Sequence, residues 1–299
     1  MQVAEKEGAI QERHVLGRPI VYRLGIRGIR HFPTWLSYGV AERIADISYF
    51  FYKGARENVK KNLRRVFSDM SEKEISSIAL RTFRNYSKYL VDYGRFRFLD
   101  KDSMFKVIRY IDGEEHIKQA MKKGKGILLL TAHLGNWELG GIFFGRQNIK
   151  INVVTLRDGI ADIDKIRTRY RKFHNINTIV LGDSPFSSIE VINALHRNEI
   201  VAMLVDRYGE EGGTKVEFFG RPTQFPVGPV ILGKISGAPI IPAFVVKEGK
   251  DSYRAIVGKP IEIPSGGDTK IDLHLQQIVR VFEKYIKLYP DQWYNFVPI

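Results

Sequence analysis

A histidine and a glutamate five residues apart, His133 and Glu138, stand just past an apolar run, Ile127 to Leu130, in the stretch T-A-H-L-G-N-W-E-L-G-G. An imidazole held by a carboxylate is the minimum apparatus for taking a proton from a hydroxyl. The carboxylate fixes Nδ1–H, and Nε2 keeps a lone pair. On one continuous helix the two side chains would be turned about 140° apart and would not share a face. A chain turn at Gly135 and a helix starting near Asn136 remove that obstacle. His133 then lies in a loop, Glu138 lies in the first helical turn, and both can face one cleft. A structural reading accounts for the same residues: Asn136 as an N-cap, Glu138 favoured by the helix dipole, and His133 bonded to a carbonyl. Spacing alone leaves both readings open.

Other chemistries are poorly supported. The histidine spacing is not the H-E-x-x-H of zinc sites and no second histidine is suitably near, so no metal is expected. The chain has no cysteine, which excludes disulfides, thiolate nucleophiles and Cys-ligated metals. K-K-G-K-G, Lys122 to Gly126, lacks the phosphate-loop pattern, and G-x-S-x-G is absent. No RNP-like stretch, zinc knuckle or helix-turn-helix pattern points to nucleic acid. The charge balance nonetheless asks for an anionic partner: 47 Lys and Arg stand against 33 Asp and Glu, a net +14 over 299 residues.

The elements that must position these residues fall into zones. Leu16 to Lys123 reads as helices, one of them beginning at Ser71, where S-E-K-E carries a capping-box pattern with Glu74. From Gly124 the texture changes to short apolar runs: G-I-L-L-L, I-N-V-V-T, N-T-I-V-L, I-V-A-M-L-V and P-I-I-P-A-F-V-V, with R-A-I-V-G-K-P-I-E-I as a further candidate. Helical patterns at Asp162 to His174, Ser187 to Arg197 and Val230 to Ser236 separate several of them, and Asp268 to Leu288 closes the chain. Such alternation predicts an α/β fold: a mixed, largely parallel central sheet flanked by helices, with an N-terminal helical region. Residues 1–123 and 124–299 form the expected division, packed as one compact unit.

The polar start, M-Q-V-A-E-K-E-G, has no secretory-signal pattern, and no run reaches the ~18 apolar residues of a spanning helix. The nearest approach, Thr34 to Tyr52, is interrupted by Glu42, Arg43 and Asp46 and is rich in Trp and Tyr. It reads equally as a helix packed on the protein's own core or as one lying in a membrane interface. The basic stretch that follows, Lys53 to Arg65, reads as a solvated face.

Several blocks together resemble a known family. H-L-G-N-W-E is the H-x4-D/E box of the glycerolipid acyltransferase superfamily, and A-H-L-G-N-W-E resembles the lipid A biosynthesis (lauroyl/myristoyl) acyltransferases. N-L-R-R-V-F at Asn62, V-D-R-Y-G-E-E-G-G-T-K-V-E-F-F-G-R-P from Val205, G-A-P-I-I-P-A-F from Gly237 and Y-P-D-Q-W from Tyr289 follow the family order. F-P-V-G, Phe225 to Gly228, is not the F-P-E-G block of glycerol-phosphate acyltransferases, because L-V-D-R, Leu204 to Arg207, fills that place.

The resemblance implies an O-acyltransferase in which His133 is the general base and Glu138 its orienting partner. The donor would be the thioester of an acyl carrier protein or of coenzyme A, with no covalent acyl-enzyme and no other cofactor. Asn136 at the helix start, Arg171 with Arg169 second, and Asp206 with Arg207 are the implied substrate-binding residues. The implied acceptor is an anionic membrane glycolipid such as a lipid A precursor, met at the cytoplasmic face of the inner membrane. Another lysophospholipid or a phosphatidylinositol mannoside is the alternative acceptor. A basic lipid-binding protein without catalysis and a thioesterase-like hydrolase are the rival functions.

Overall fold

The computed structural model describes residues 32–156, 161–182, 186–207, 213–264, 266 and 270–299. The helical expectation for Leu16 onward up to residue 31 lies outside them, as do residues 208–212 of the block beginning at Val205. Contacts divide the chain into two units.

The first unit holds α1 (Thr34–Phe51), α2 (Lys53–Val66), α3 (Glu72–Phe96) and the chain's end from Ile286. The capping box starts α3 as its sequence predicts: the Ser71 hydroxyl accepts the Glu74 N–H, and the Glu74 carboxylate accepts the Ser71 N–H. Ala45, Val59, Leu63, Ile75, Ile78 and Phe83 form a buried core to which Phe296 adds its ring, 5.2 Å from that of Phe83. Asn62, 2% exposed, donates to the carbonyls of Asn295 and Val297 at 3.1 and 2.8 Å. The N-L-R-R-V-F block therefore serves this core, together with residues 295–297 that follow Y-P-D-Q-W.

The second unit is the sheet and its helices. α4 (Lys101–Val107), β1 (Ile108–Asp112) and α5 (Glu114–Lys122) open it, so residues 100–123 group with the sheet and not with the preceding helices. Then come β2 (Ile127–Thr131), α6 (Trp137–Arg146), β3 (Ile151–Leu156), α7 (Ala161–Phe173, whose start falls to the first unit), β4 (Ile176–Leu181), α8 (Ser187–His196) and β5 (Ile200–Leu204). A hairpin of β6 (Thr214–Phe218) and β7 (Arg221–Phe225) follows, then α9 (Gly228–Ser236), β8 (Ile240–Lys247), β9 (Tyr253–Val257) and α10 (Ile271–Leu288).

The seven-stranded sheet has the order β1-β9-β8-β2-β5-β3-β4, and every pairing is parallel except β8 with β9. The fold is thus α/β with a mixed, largely parallel sheet. β2 lies in its middle with all five residues buried, which is why its sequence is a continuous apolar run rather than an alternation.

β1 was not legible as a strand. Its sequence, I-R-Y-I-D, is short and polar because it is an edge strand with only Ile108 fully buried. The F-F-G-R-P block turns out to be the β6–β7 hairpin. Phe219 and Gly220 form its two-residue turn with φ of 49° and 72°, the sign that a tight hairpin turn of this kind demands. Phe225 ends β7 and Gly228 starts α9, so F-P-V-G serves as a strand-to-helix connection.

Candidate active site

β2 and β5 are parallel neighbours with Thr131 opposite Leu204. Two residues beyond these ends the same register sets His133 beside Asp206, at the carboxyl edge where ligands gather in α/β sheets. The contact is direct. The His133 amide donates to Asp206 Oδ2 at 3.0 Å, and His133 Nδ1 lies 2.6 Å from Oδ1. A carboxylate can only accept, so Nδ1 carries a proton, and in the neutral imidazole Nε2 then keeps its lone pair. The Asp206 side chain is 0% exposed and that of His133 is 18% exposed, so the anchor is dry and the imidazole reaches solvent. The Trp137 ring meets the imidazole at 5.2 Å in an edge-to-face arrangement.

The loop between His133 and α6 is shaped by Gly135. Its φ is +66°, and a Cβ there would lie 2.0 Å from the Val245 carbonyl oxygen. That carbonyl accepts the Asn136 N–H at 2.6 Å, which ties the loop to β8. Asn136 caps α6, its Oδ1 accepting the Leu139 N–H at 3.0 Å. The turn at Gly135 and the helix start at Asn136 are as the sequence predicts. Asn136 is 1% exposed, and its Nδ2 has no hydrogen-bond partner among the described residues.

Glu138 sits in the first turn of α6, but it does not hold the imidazole. Its two oxygens receive Arg171 Nε at 3.2 Å and an Arg171 terminal nitrogen at 2.5 Å, in a bidentate pair with both side chains almost fully buried. The expected His133–Glu138 pairing is thereby corrected to His133–Asp206 and Glu138–Arg171. The physical reason is reach. The strand register delivers Asp206 to Nδ1 directly, while Glu138 points to α7 and neutralises a buried guanidinium. Arg171 is accordingly engaged; Arg169 is exposed on α7, and Arg207 is half-buried next to Asp206 in sequence. The signal for the true partner was present, since L-V-D ends a strand as L-T-A-H does. Pairing the two needed the knowledge that β5, not β3, lies beside β2.

The geometry is that of an imidazole on a carboxylate anchor, next to the start of a helix whose first N–H groups, those of Trp137 and Glu138, have no partner within the helix. A profile of the family described as bacterial lipid A biosynthesis acyltransferase matches residues 15–298. The chain belongs to that family. As a member of the lipid A biosynthesis acyltransferase family it has relatives with two kinds of named acceptor. It is 25% identical over 279 residues to a phosphatidylinositol mannoside acyltransferase of Mycobacterium tuberculosis, covering 93% of this chain and 86% of that one. It is 27% identical over 283 residues to a lipid A biosynthesis lauroyltransferase of Escherichia coli, covering 88% and 90%. A lipid A biosynthesis palmitoleoyltransferase of the same organism is 23% identical over 283 residues, covering 88% and 89%. Family membership makes the chain an acyltransferase.

Proposed function

We propose that this acyltransferase moves a fatty acyl chain from a thioester, on an acyl carrier protein or coenzyme A, to a hydroxyl of an anionic membrane glycolipid such as a lipid A precursor. The observation that carries the reading is the imidazole of His133, held at Nδ1 by the buried Asp206 with Nε2 left to face a hydroxyl. Nε2 takes the acceptor's proton as its oxygen forms a bond to the thioester carbonyl carbon. The resulting oxyanion is met by N–H donors at the start of α6, and the amide of Asn136 offers a further donor. When the carbon–sulfur bond breaks, the departing thiolate takes the proton from Nε2. Asp206 orients the imidazole and stabilises its protonated form, and no acyl-enzyme or other cofactor is involved. Arg169 and Arg207 are the cations assigned to the acceptor's phosphate, and the Glu138–Arg171 pair secures the helix that carries the donors. The acceptor is met at the cytoplasmic face of the inner membrane.

A phosphatidylinositol mannoside is the second reading of the acceptor, favoured by the larger share of this chain, 93% against 88%, that its relative matches. The test is to incubate the purified chain with acyl carrier protein and coenzyme A thioesters and each acceptor, with mass spectrometry of the lipids. The expected product is heavier by one acyl unit and is lost in His133→Ala. Full activity of His133→Ala would overturn the mechanism. Release of free fatty acid without acceptor would make the chain a thioesterase, and lipid binding without product would make it a binding protein.

A further inference from the structure

α1 has two apolar faces, and the described residues pack against one of them. Tyr38, Ala41, Ala45 and Ser48 are buried on the inner side, which packs on α3. The opposite side carries Leu36, Val40, Ile44, Ile47 and Phe51 at helical spacing, flanked by Trp35 and Phe50. Trp35, Ile47, Phe50 and Phe51 are 59–70% exposed. So long an uncovered apolar stripe marks a surface that meets something.

The charges of the helix are sorted with the same sharpness. Its two carboxylates turn toward α3, Glu42 to Lys88 at 2.6 Å and Asp46 to Arg84 at 2.6 Å. Asp46, 25% exposed at the edge of the outer face, also accepts from Arg43 at 3.2 Å, and Arg43, with a side chain 79% exposed, is the one cation of that face among the described residues. α2 begins one residue after α1, and its exposed Lys53 and Lys61 have no ion-pair partner among the described residues.

We propose that the outer face of α1 is a docking surface for an anionic bilayer, with the helix lying flat in the interface. The proposal rests on the lipid-acceptor reading above and adds to it the surface by which the enzyme reaches its acceptor. A flat pose follows from the inner face, whose ion pairs with α3 would be torn apart in hydrocarbon. No described helix is long and apolar enough to cross a membrane. A bilayer suits the outer face better than a second copy does. Arg43 stands within the apolar stripe, and a two-fold contact would bury it against an apolar surface. At a membrane its long side chain rises to the phosphates. Lys53 and Lys61 supply the charge complementarity to acidic headgroups.

The experiment is co-sedimentation of the full chain with vesicles of phosphatidylcholine alone or mixed with phosphatidylglycerol. The expected result is binding to the mixed vesicles at least about tenfold tighter than to the neutral ones. The double variant Ile47→Glu/Phe50→Glu is expected to lose that binding more than about tenfold with an unchanged melting temperature, since both side chains are exposed. Ile235→Glu, at an exposed apolar position of α9, is the control and should bind normally. Wild-type binding by the double variant, or equal loss in Ile235→Glu, would overturn the proposal. So would a wild-type dimer that the double variant converts to a monomer in light scattering. Acyl transfer separates this reading from the catalytic one: the double variant should act on detergent-dispersed acceptor and fail on vesicle-embedded acceptor. A wild type that binds vesicles yet acylates no lipid would sink the catalytic reading and leave the docking surface intact.

Discussion

At the scale of single residues the site is two carboxylates in two different jobs. Asp206 holds the imidazole, so Asp206→Asn should reduce kcat by about 10²- to 10⁴-fold with little change in KM, because orientation and imidazolium stabilisation are lost while binding contacts remain. Steady-state kinetics of the purified variant checks this. Glu138 instead neutralises Arg171 in a nearly solvent-free setting. Glu138→Gln should cost about 3–5 kcal/mol in chemical denaturation, since it strands a buried guanidinium. Adding Arg171→Met should recover much of the loss, a pattern that an orienting role on His133 would not produce.

At the scale of elements the site is a strand end, a glycine turn and a capped helix. Gly135 is required twice over, by a left-handed φ and by the Val245 carbonyl that any Cβ would strike. Gly135→Ala should therefore lower stability by about 1–3 kcal/mol and displace the His133 loop, with activity falling further than stability. Thermal melting and acyl transfer measured together would show it. The same logic applies to the last residues of the chain. Asn62→Ala leaves two carbonyls without their donor and should destabilise the chain by about 1–3 kcal/mol in a denaturant titration, with His133 untouched. Asn62 serves the fold, while His133 and Asp206 are the residues proposed for the chemistry.

At the scale of the whole molecule, charge sets the response to pH. Hydrogen bonds from Lys60 and then Arg64 hold the Glu72 carboxyl down to about 2, and Arg84 holds Asp46 below the usual carboxylate range. A folded pKa below the unfolded value stabilises the fold above the ordinary carboxylate range, and that contribution is lost as pH falls through the folded value. Burial pushes the Tyr294 phenol well above its ordinary 10.0, so its contribution is complete below that value and fades as pH rises past it. The melting temperature should accordingly be level near neutrality, decline below about pH 4 and decline again above about pH 10. Salt should shallow the acid limb, where the ion pairs are exposed.

The amino-acid sequence by itself determined the fold class, the strands with continuous apolar runs, the capping box at Ser71, the turn at Gly135 and the helix start at Asn136. Each follows from forces acting within a few residues, namely periodicity, caps and steric demand, which is why they can be read locally. It also singled out His133, Glu138, Asp206 and Arg171, the four side chains that the fold joins in two pairs. Only the tertiary structure decided who pairs with whom. Strand order set β5 beside β2 and so joined residues separated by 73 positions, while Glu138 went to an arginine 33 positions away. Edge strand β1 was hidden for a related reason, which also left the two readings of α1 level. An apolar or polar residue states a preference for burial, and whether a partner arrives to satisfy it depends on packing that no local pattern records.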